Sequence, residues 1–306
     1  MLSKDPEKQV KPNIELNYNI LQGISMTDSM FDLFAGYVYK NTGIVMNQNK
    51  KTLLGNRLRK RLKVLNLDSF EKYWKYIQDP KSSKTEIYHF LDAVSTNETY
   101  FQRGTSHYEI LKNHILPKFR NEHKQHIRIW SAGCSTGEEP YDIAIIMEEF
   151  ASKHPNCQYS ITASDISKEV LEFAKKGEYY DRKISKLTSE QKVKYFEKVK
   201  VEDSSISFAR EVLRVKPVIK KNITFKHHNL IKDPYFSGMD VILCRNVMIY
   251  FDRETQVKIV NKFAKSLNQK GVLFIGHSET VQFADVNVKH IRFPEGTAYI
   301  RVEDNW

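Results

Sequence analysis

The stretch WSAGCSTGEEP, residues 130–140, decides the fold. An apolar run, HIRIW at 126–130, leads into it, and EEPYDIAIIMEEFA at 138–151 follows with helical spacing. A strand therefore ends in a turn of small residues (Ser131, Ala132, Gly133, Ser135, Gly137), and a helix begins. Small residues let a ligand lie against bare backbone, and a helix start offers free N–H groups. In an open α/β sheet this strand-to-helix turn is where ligands sit. The glycine spacing is neither GxGxxG nor a loop ending in GK[ST], so the dinucleotide and phosphate-loop fingerprints are not met. Glu138 and Glu139 stand where a phosphate would be repelled, which favours a ligand without phosphate that carries an ammonium or sulfonium cation. A purely structural glycine turn, with two acids favoured by the helix dipole, accounts for the segment as well.

Downstream of this turn the alternation continues. Strand QYSITASD (158–165), helix SKEVLEFAKK (167–176), strand DVILCRN (240–246) and helix RETQVKIVNKFAKSL (253–267) follow, then a Gly271 stop and strand VLFIGHS (272–278). Strands alternating with helices predict a mainly parallel sheet covered on both faces. Two last strands, near KHIRF (289–293) and AYIRV (298–302), have no helix between them and predict an edge hairpin. The segment SISFAREVLRVKPVIKKNITF (205–225) reads as short strands with turns rather than a helical crossover.

Upstream, the texture is helical. SMTDSMFDLFAGYVYKNTGI (25–44) places Met30, Phe31, Phe34 and Val38 on one side, with a stop at Asn41-Thr42-Gly43. In NKKTLLGNRLRKRLKVLNL (49–67), Leu54, Leu58, Leu62 and Leu65 form a stripe, and Arg57, Arg59, Lys60, Arg61 and Lys63 cover the rest. SFEKYWKYIQDP (69–80) has Ser69 as N-cap and Pro80 past its end, and TEIYHFLDAVS (85–95) is a fourth helix. The domain expectation is an arm at 1–24, a helical domain at 25–95 and an α/β domain at 96–306.

The bulk numbers narrow the class. With 306 residues, 41% hydrophobic and 12% aromatic, the chain can bury a real core and does not read as disordered. No apolar run is as long as a membrane span, and the charged start MLSKDPEKQVKPNIELN has no signal-peptide core. Cys134, Cys157 and Cys244 are odd in number and far apart, which fits a reduced cytoplasmic setting. The ten histidines show no zinc spacing, so no metal is expected, and His277 reads as structural. The net charge of +11 favours an anionic partner: nucleic acid, anionic lipid or an acidic protein surface.

Three further elements bear on chemistry. Asp165 ends the second strand, where an acid commonly holds ribose hydroxyls, although capping the next helix would also explain it. NETYFQR (97–103) joins the two halves, as a hinge or as a site element. The pair Arg245-Asn246 ends a strand at the same sheet edge as Gly133 and Asp165, which makes it part of a pocket or of a solvated loop.

The series NETYFQR, WSAGCSTGEEPYDIAI, ASDIS, HNLI, VILCRNVMIYFD and LFIGHSE resembles the CheR family, chemotaxis receptor glutamate O-methyltransferases, in order and separation from about Ser25 to Val302. Gln102 and Asp142 depart from it, where the family often has Phe and Ser. The resemblance implies a Rossmann-like S-adenosylmethionine (SAM)-dependent methyltransferase domain behind a small receptor-facing helical domain, with an inserted antiparallel β subdomain at about 197–226. It implies SAM as methyl donor and S-adenosyl-L-homocysteine as product. Asn97, Thr99 and Arg103 would face the donor and the incoming carboxylate, and Glu138 the donor's methionine or ribose portion. Gly133 belongs to the donor turn, Asp165 would take the ribose hydroxyls, and Asn229 and Leu230 would flank the adenine. Arg245, Asn246 and Tyr250 would complete the pocket, with Arg103 and Tyr250 as the residues nearest the chemistry. The basic helix with Arg57, Arg59, Lys60, Arg61 and Lys63 would dock the acidic cytoplasmic helices of receptors. In some members the β subdomain docks a receptor tail peptide. The implied setting is the cytoplasm, with recruitment to membrane receptor arrays, no membrane insertion and no nucleic-acid partner. A nucleic-acid methyltransferase would share the donor site, but its aromatic-proline acceptor loop is replaced here by CRNVMIYF. A non-catalytic SAM-binding module would lack acceptor residues, whereas Arg103 and Tyr250 are both present.

Overall fold

The computed structural model describes residues 23–201, 210–276, 279 and 285–306. Most of the expected N-terminal arm, His277 and the middle of the expected β insertion lie outside the described residues. The chain divides into two compact units: one takes in residues up to Ala35 together with Asn47–Val94, the other Gly36–Met46 and Ser95–Trp306. No described helix is long and apolar enough to cross a membrane.

The first unit contains the start of α1 (Asp28–Thr42) and all of α2 (Lys51–Leu65), α3 (Phe70–Gln78) and α4 (Ser83–Val94). The leucine stripe of α2 is buried at Leu54, Leu58 and Leu62, while Leu65 is only half-buried. Phe34, Phe70, Tyr73 and Phe90 form an aromatic core whose ring centroids lie 5.9–6.4 Å apart. Ser69 caps α3 by accepting the Lys72 N–H.

The second unit is built on a seven-stranded sheet of order β6-β2-β1-β7-β8-β10-β9. Its strands are β1 (His126–Ala132), β2 (Gln158–Asp165), β6 (Ile223–His227), β7 (Met239–Cys244), β8 (Leu267–Ile275), β9 (Val288–Phe293) and β10 (Gly296–Arg301). The first five run parallel, and β10 and β9 add the expected antiparallel hairpin. The two-residue period of the strands sorts the core into two halves. Ile127, Ile129, Val241, Leu243, Val272 and Phe274 pack with Ile143 and Ile145 of α7 (Glu138–Lys153). Trp130, Ala132, Ile242, Cys244, Leu273 and Ile275 pack with Ile259, Val260 and Phe263 of α11 (Arg253–Ser266). Between α4 and α7 lies a helical run of α5 (Thr105–Ile110), a π-turn at Leu111–Ile115 and α6 (Leu116–Asn121). After β2 come α8 (Lys168–Lys176), α9 (Ser189–Tyr195) and the short α10 (Pro217–Lys220).

Two expectations are corrected here. The small antiparallel sheet is β3 (Glu178–Tyr179), β5 (Arg210–Val215) and β4 (Phe196–Val201), in that order. The stretch Ile223–His227, assigned above to the insertion's end, instead pairs parallel with β2 as an edge of the main sheet. Alternating residues look the same in either sheet, so the strand's partner is set by tertiary pairing. Gly271 does not stop a helix: α11 ends at Ser266, and Gly271 lies inside β8, where the pairing with β7 shifts register. Main-chain oxygens of Asn268 and Met239 would lie within 3.0 Å of any Cβ at that position, so only glycine fits.

Candidate functional site

Because β1, β2, β6, β7 and β8 are parallel, their carboxyl ends share one edge, and the order of connection reverses between β1 and β7. That reversal opens a crevice. Gly133 follows β1, Asp165 ends β2, Asn229 and Leu230 follow β6, Arg245 and Asn246 follow β7, and Gly276 and Glu279 follow β8.

The turn after β1 is fixed by its neighbour strand. Gly133 and Cys134 donate N–H bonds to the Ser164 carbonyl at 2.8 and 2.9 Å, and Ser135 N–H donates to Asp165 Oδ2 at 2.8 Å. Gly133 has φ +81°, and a Cβ there would meet Val247 Cγ2 at 2.5 Å, so glycine is required both for the turn and for the approach of the β7 loop. Asp165 Oδ1 accepts the Ser167 N–H at 2.9 Å, and Ser167, not Asp165, caps α8 by accepting from Val170. The capping explanation for Asp165 is thereby removed. Its carboxylate is buried, anchored by backbone on both oxygens, and retains acceptor capacity for hydroxyl groups.

The segment 97–104 is tied to this edge at three points. Ser135 Oγ donates to the Asn97 carbonyl at 2.9 Å, Lys183 Nζ donates to the Thr99 carbonyl at 2.6 Å, and Arg245 donates to the carbonyls of Arg103 and Gly104. Arg245 also reaches Glu139 Oε2 at 3.2 Å and lies 4.9 Å from the Tyr108 ring centre. Burial raises the Glu139 carboxyl above its ordinary range, with Arg245 and Ser131 opposing. Asp142 is fully buried and accepts both the Gln102 N–H and Nε2–H at 2.7 Å. Burial pushes its carboxyl up to about 7, against the Gln102 bonds and Arg245. The two positions that depart from the family pattern are thus partners of each other. The Asp142 carboxylate holds Gln102 at φ +59° and with it the peptide before Arg103.

Models of two protein families match the chain: "CheR methyltransferase, all-alpha domain" over residues 29–95, and "CheR methyltransferase, SAM binding domain" over 97–297. The chain belongs to the CheR methyltransferase family. Curated relatives named "Chemotaxis protein methyltransferase" are similar over most of its length. That of Borreliella burgdorferi is 37% identical over 88% of this chain and 93% of its own. Those of Salmonella typhimurium and Escherichia coli are 35% and 33% identical, each over 84% of this chain and 86% of their own. This CheR chain is accordingly a SAM-dependent methyltransferase with an N-terminal all-α domain and a Rossmann-like, mainly parallel SAM-binding domain.

The residues at the edge suit that donor. Glu138 and Asp165 are buried acids at this edge, which fits a sulfonium cation and ribose hydroxyls. Among the described residues, Glu138 Oε1 and Arg245 Nε are buried without a hydrogen-bond partner, an acceptor and a donor that complement an amino-acid zwitterion. Lys183 Nζ lies 3.3 Å from Glu138 Oε1, within ion-pair range but outside hydrogen-bonding geometry.

Other expected residues sit as follows. Asn229 is engaged locally: its Oδ1 accepts from Ile231 and Lys232 N–H, and its Nδ2 donates to the Asn41 carbonyl at 2.8 Å. Leu230 packs with the Trp130 side of the core. Arg103 is half-buried and donates to the Glu98 carbonyl at 2.6 Å. Tyr250 is half-buried, and its carbonyl accepts the Val45 N–H at 2.8 Å. In the helical unit the picture of a uniformly outward basic face on α2 is corrected. Arg57 donates to the Val94 carbonyl, Arg59 to the Ile24 carbonyl, and Arg61 pairs with buried Glu86 at 2.7 Å. Lys60 and Lys63 are exposed.

The sequence reading assigned no role to Glu279, although it closes the quoted LFIGHSE motif. Its carboxylate accepts three backbone N–H groups, from Gly276 at 2.7 Å, Asn246 at 2.8 Å and Ile249 at 3.1 Å. It therefore binds the loop after β8 to the loop carrying Asn246 and Tyr250. An acid just past a glycine turn at a strand end was the available signal.

Proposed function

We propose that this chain is a protein-glutamate O-methyltransferase that esterifies glutamates on the cytoplasmic helices of chemotaxis receptors, serving sensory adaptation. The observation that supports this most is the convergence of six separated segments on the β1/β7 edge in a chain of the CheR family. SAM, when bound, supplies a methyl group on a positively charged sulfur, which a carboxylate oxygen takes by in-line displacement. A glutamate, with an ordinary pKa of about 4.3, is already anionic at neutral pH, so no side chain need act as a base. The chain's task is to bind, orient and dry the reactants. Gly133, Glu138, Asp165, Asn229, Leu230, Arg245 and Asn246 line the donor side in this reading, with Asn97 and Thr99 closing it. Opposite charges neutralise along the path, so excluding water favours it. Arg103 orients the carboxylate; a tight ion pair would hold the ground state more strongly than the transition state. Tyr250 offers a hydroxyl and an aromatic wall. The helical unit faces the receptor, the small sheet receives a receptor tail where one exists, and the protein works in the cytoplasm, recruited to receptor arrays.

The test is transfer of label from methyl-tritiated SAM to a receptor cytoplasmic fragment. Mild alkali should release the label as methanol, as a carboxyl ester requires. Alkali-stable label on the fragment, or transfer to RNA or DNA in its place, would contradict the proposal.

A further inference from the structure

Two segments far apart in sequence meet beside the donor turn and leave a cationic, aromatic surface. Tyr100 is 37% exposed, and two cations address its ring: Lys186 Nζ at 4.5 Å and the Arg103 guanidinium at 5.7 Å from the centroid. Tyr180, also 37% exposed, has the Arg182 guanidinium at 5.9 Å. The surface is held in place from below. Lys183 Nζ donates to the Thr99 carbonyl at 2.6 Å and faces buried Glu138, and Tyr179 Oη donates to the Thr136 carbonyl at 2.6 Å. Residues 179–186 are thus fastened both to 97–103 and to the turn that follows β1. The nearby acids do not cancel the charge. Glu138 is buried under Lys183, and exposed Asp181 lies 3.5 Å from Lys192, so that among the described residues Glu98 and Asp181 stand against Arg103, Arg182, Lys186 and Lys192.

We propose that Tyr100, Arg103, Arg182 and Lys186 form the surface on which the acidic, glutamate-bearing helix of the substrate lies while one of its carboxylates enters the site. The proposal rests on the protein-methylating reading above and names the part of the surface that reads the substrate. A helix presents carboxylates three and four residues apart on one face. One glutamate can then reach the methyl donor while its neighbours meet Lys186 and Arg182. Tyrosine and arginine are the residues enriched at protein interfaces, and opposed charges steer encounter and fix register. In α2, Arg57, Arg59 and Arg61 are engaged within their own unit, so that helix offers fewer outward charges to the same partner.

The experiment compares the full-length chain with its Arg182→Glu/Lys186→Glu variant and with Tyr100→Leu. Methylation of a receptor cytoplasmic fragment should show KM about tenfold higher in the double variant, with kcat within about twofold and a shallower dependence on salt. Tyr100→Leu should raise KM while keeping the wild-type salt slope. SAM affinity by calorimetry should be unchanged in both variants. Anisotropy of the labelled fragment with the chain loaded with S-adenosyl-L-homocysteine should give the same ranking without turnover. If wild type binds the fragment but does not methylate it, the protein-methylating reading fails, and the binding series alone decides the surface. Equal fragment affinity and equal KM in wild type and double variant overturn the proposal. So does loss of affinity for single-stranded RNA in the variant with fragment binding intact, which makes the patch a nucleic-acid surface.

Discussion

Helix α2 and the rim built from residues 98–103 and 180–186 carry the same kind of charge and use it in opposite ways. In α2 the basic residues lie within seven positions, 57–63, and three of the five are turned inward: two onto main-chain carbonyls, the third onto a buried carboxylate. At the rim the basic residues are scattered through the sequence, and the fold brings them together on exposed aromatic rings. A long flexible side chain next to a helix end or a loop finds backbone acceptors, and burying an unmet carbonyl is costly. A run of arginines on a short helix is therefore as apt to brace its own unit as to bind a partner.

The largest effect expected from this contrast concerns the inward charges. Arg245→Ala would take from the largely buried Glu139 its paired guanidinium and strip the Arg103 and Gly104 carbonyls of their donor, costing about 3–5 kcal/mol. Urea unfolding measures it, and a loss below 1 kcal/mol would deny that Arg245 is a brace. Next comes Arg61→Ala, which leaves Glu86 with the Tyr73 hydroxyl as its side-chain partner among the described residues and should cost about 2–3 kcal/mol. Asp142 should tilt the pH profile. Its folded carboxyl holds a proton up to about 7, whereas the unfolded one ionises near 3.8. As pH rises through that window the unfolded state loses its proton first, so stability falls, by at most about 1.4 kcal/mol per pH unit for one proton. Asp142→Asn should lack this fall between pH 5 and 7, and an equal fall in both proteins would locate the titration elsewhere. The smallest effect belongs to the outward charge: Lys60→Glu should change stability by no more than about 0.5 kcal/mol. A larger loss would mean that Lys60, too, is an internal brace.

The same contrast separates what was legible in the sequence from what was not. The turn at 130–140, the parallel strands, the edge hairpin and the Ser69 cap all follow from local pattern, and the structure has them. The placement of Gly133 and Asp165 at the sheet edge was readable because a strand end followed by small residues, and an acid ending the next strand, are features of a few adjacent positions. The partners of Arg57 and Arg61 lie about 25–37 residues away, so no spacing within α2 reveals them. The bond between Gln102 and Asp142 spans 40 residues and shows in the sequence only as two departures from the family pattern. Ile223–His227 alternates as any strand does, and its pairing with β2 depends on where α10 returns the chain.

In the function proposed above, the β1/β2 edge holds the methyl donor through Asp165. Titration calorimetry of the wild-type chain and Asp165→Ala with SAM, and with S-adenosyl-L-homocysteine, tests it most directly. Each lost hydrogen bond to a charged group is worth about 1.5–3 kcal/mol, so both ligands should bind the variant at least about tenfold more weakly. Equal affinity in the two proteins, for either ligand, would take Asp165 out of the site.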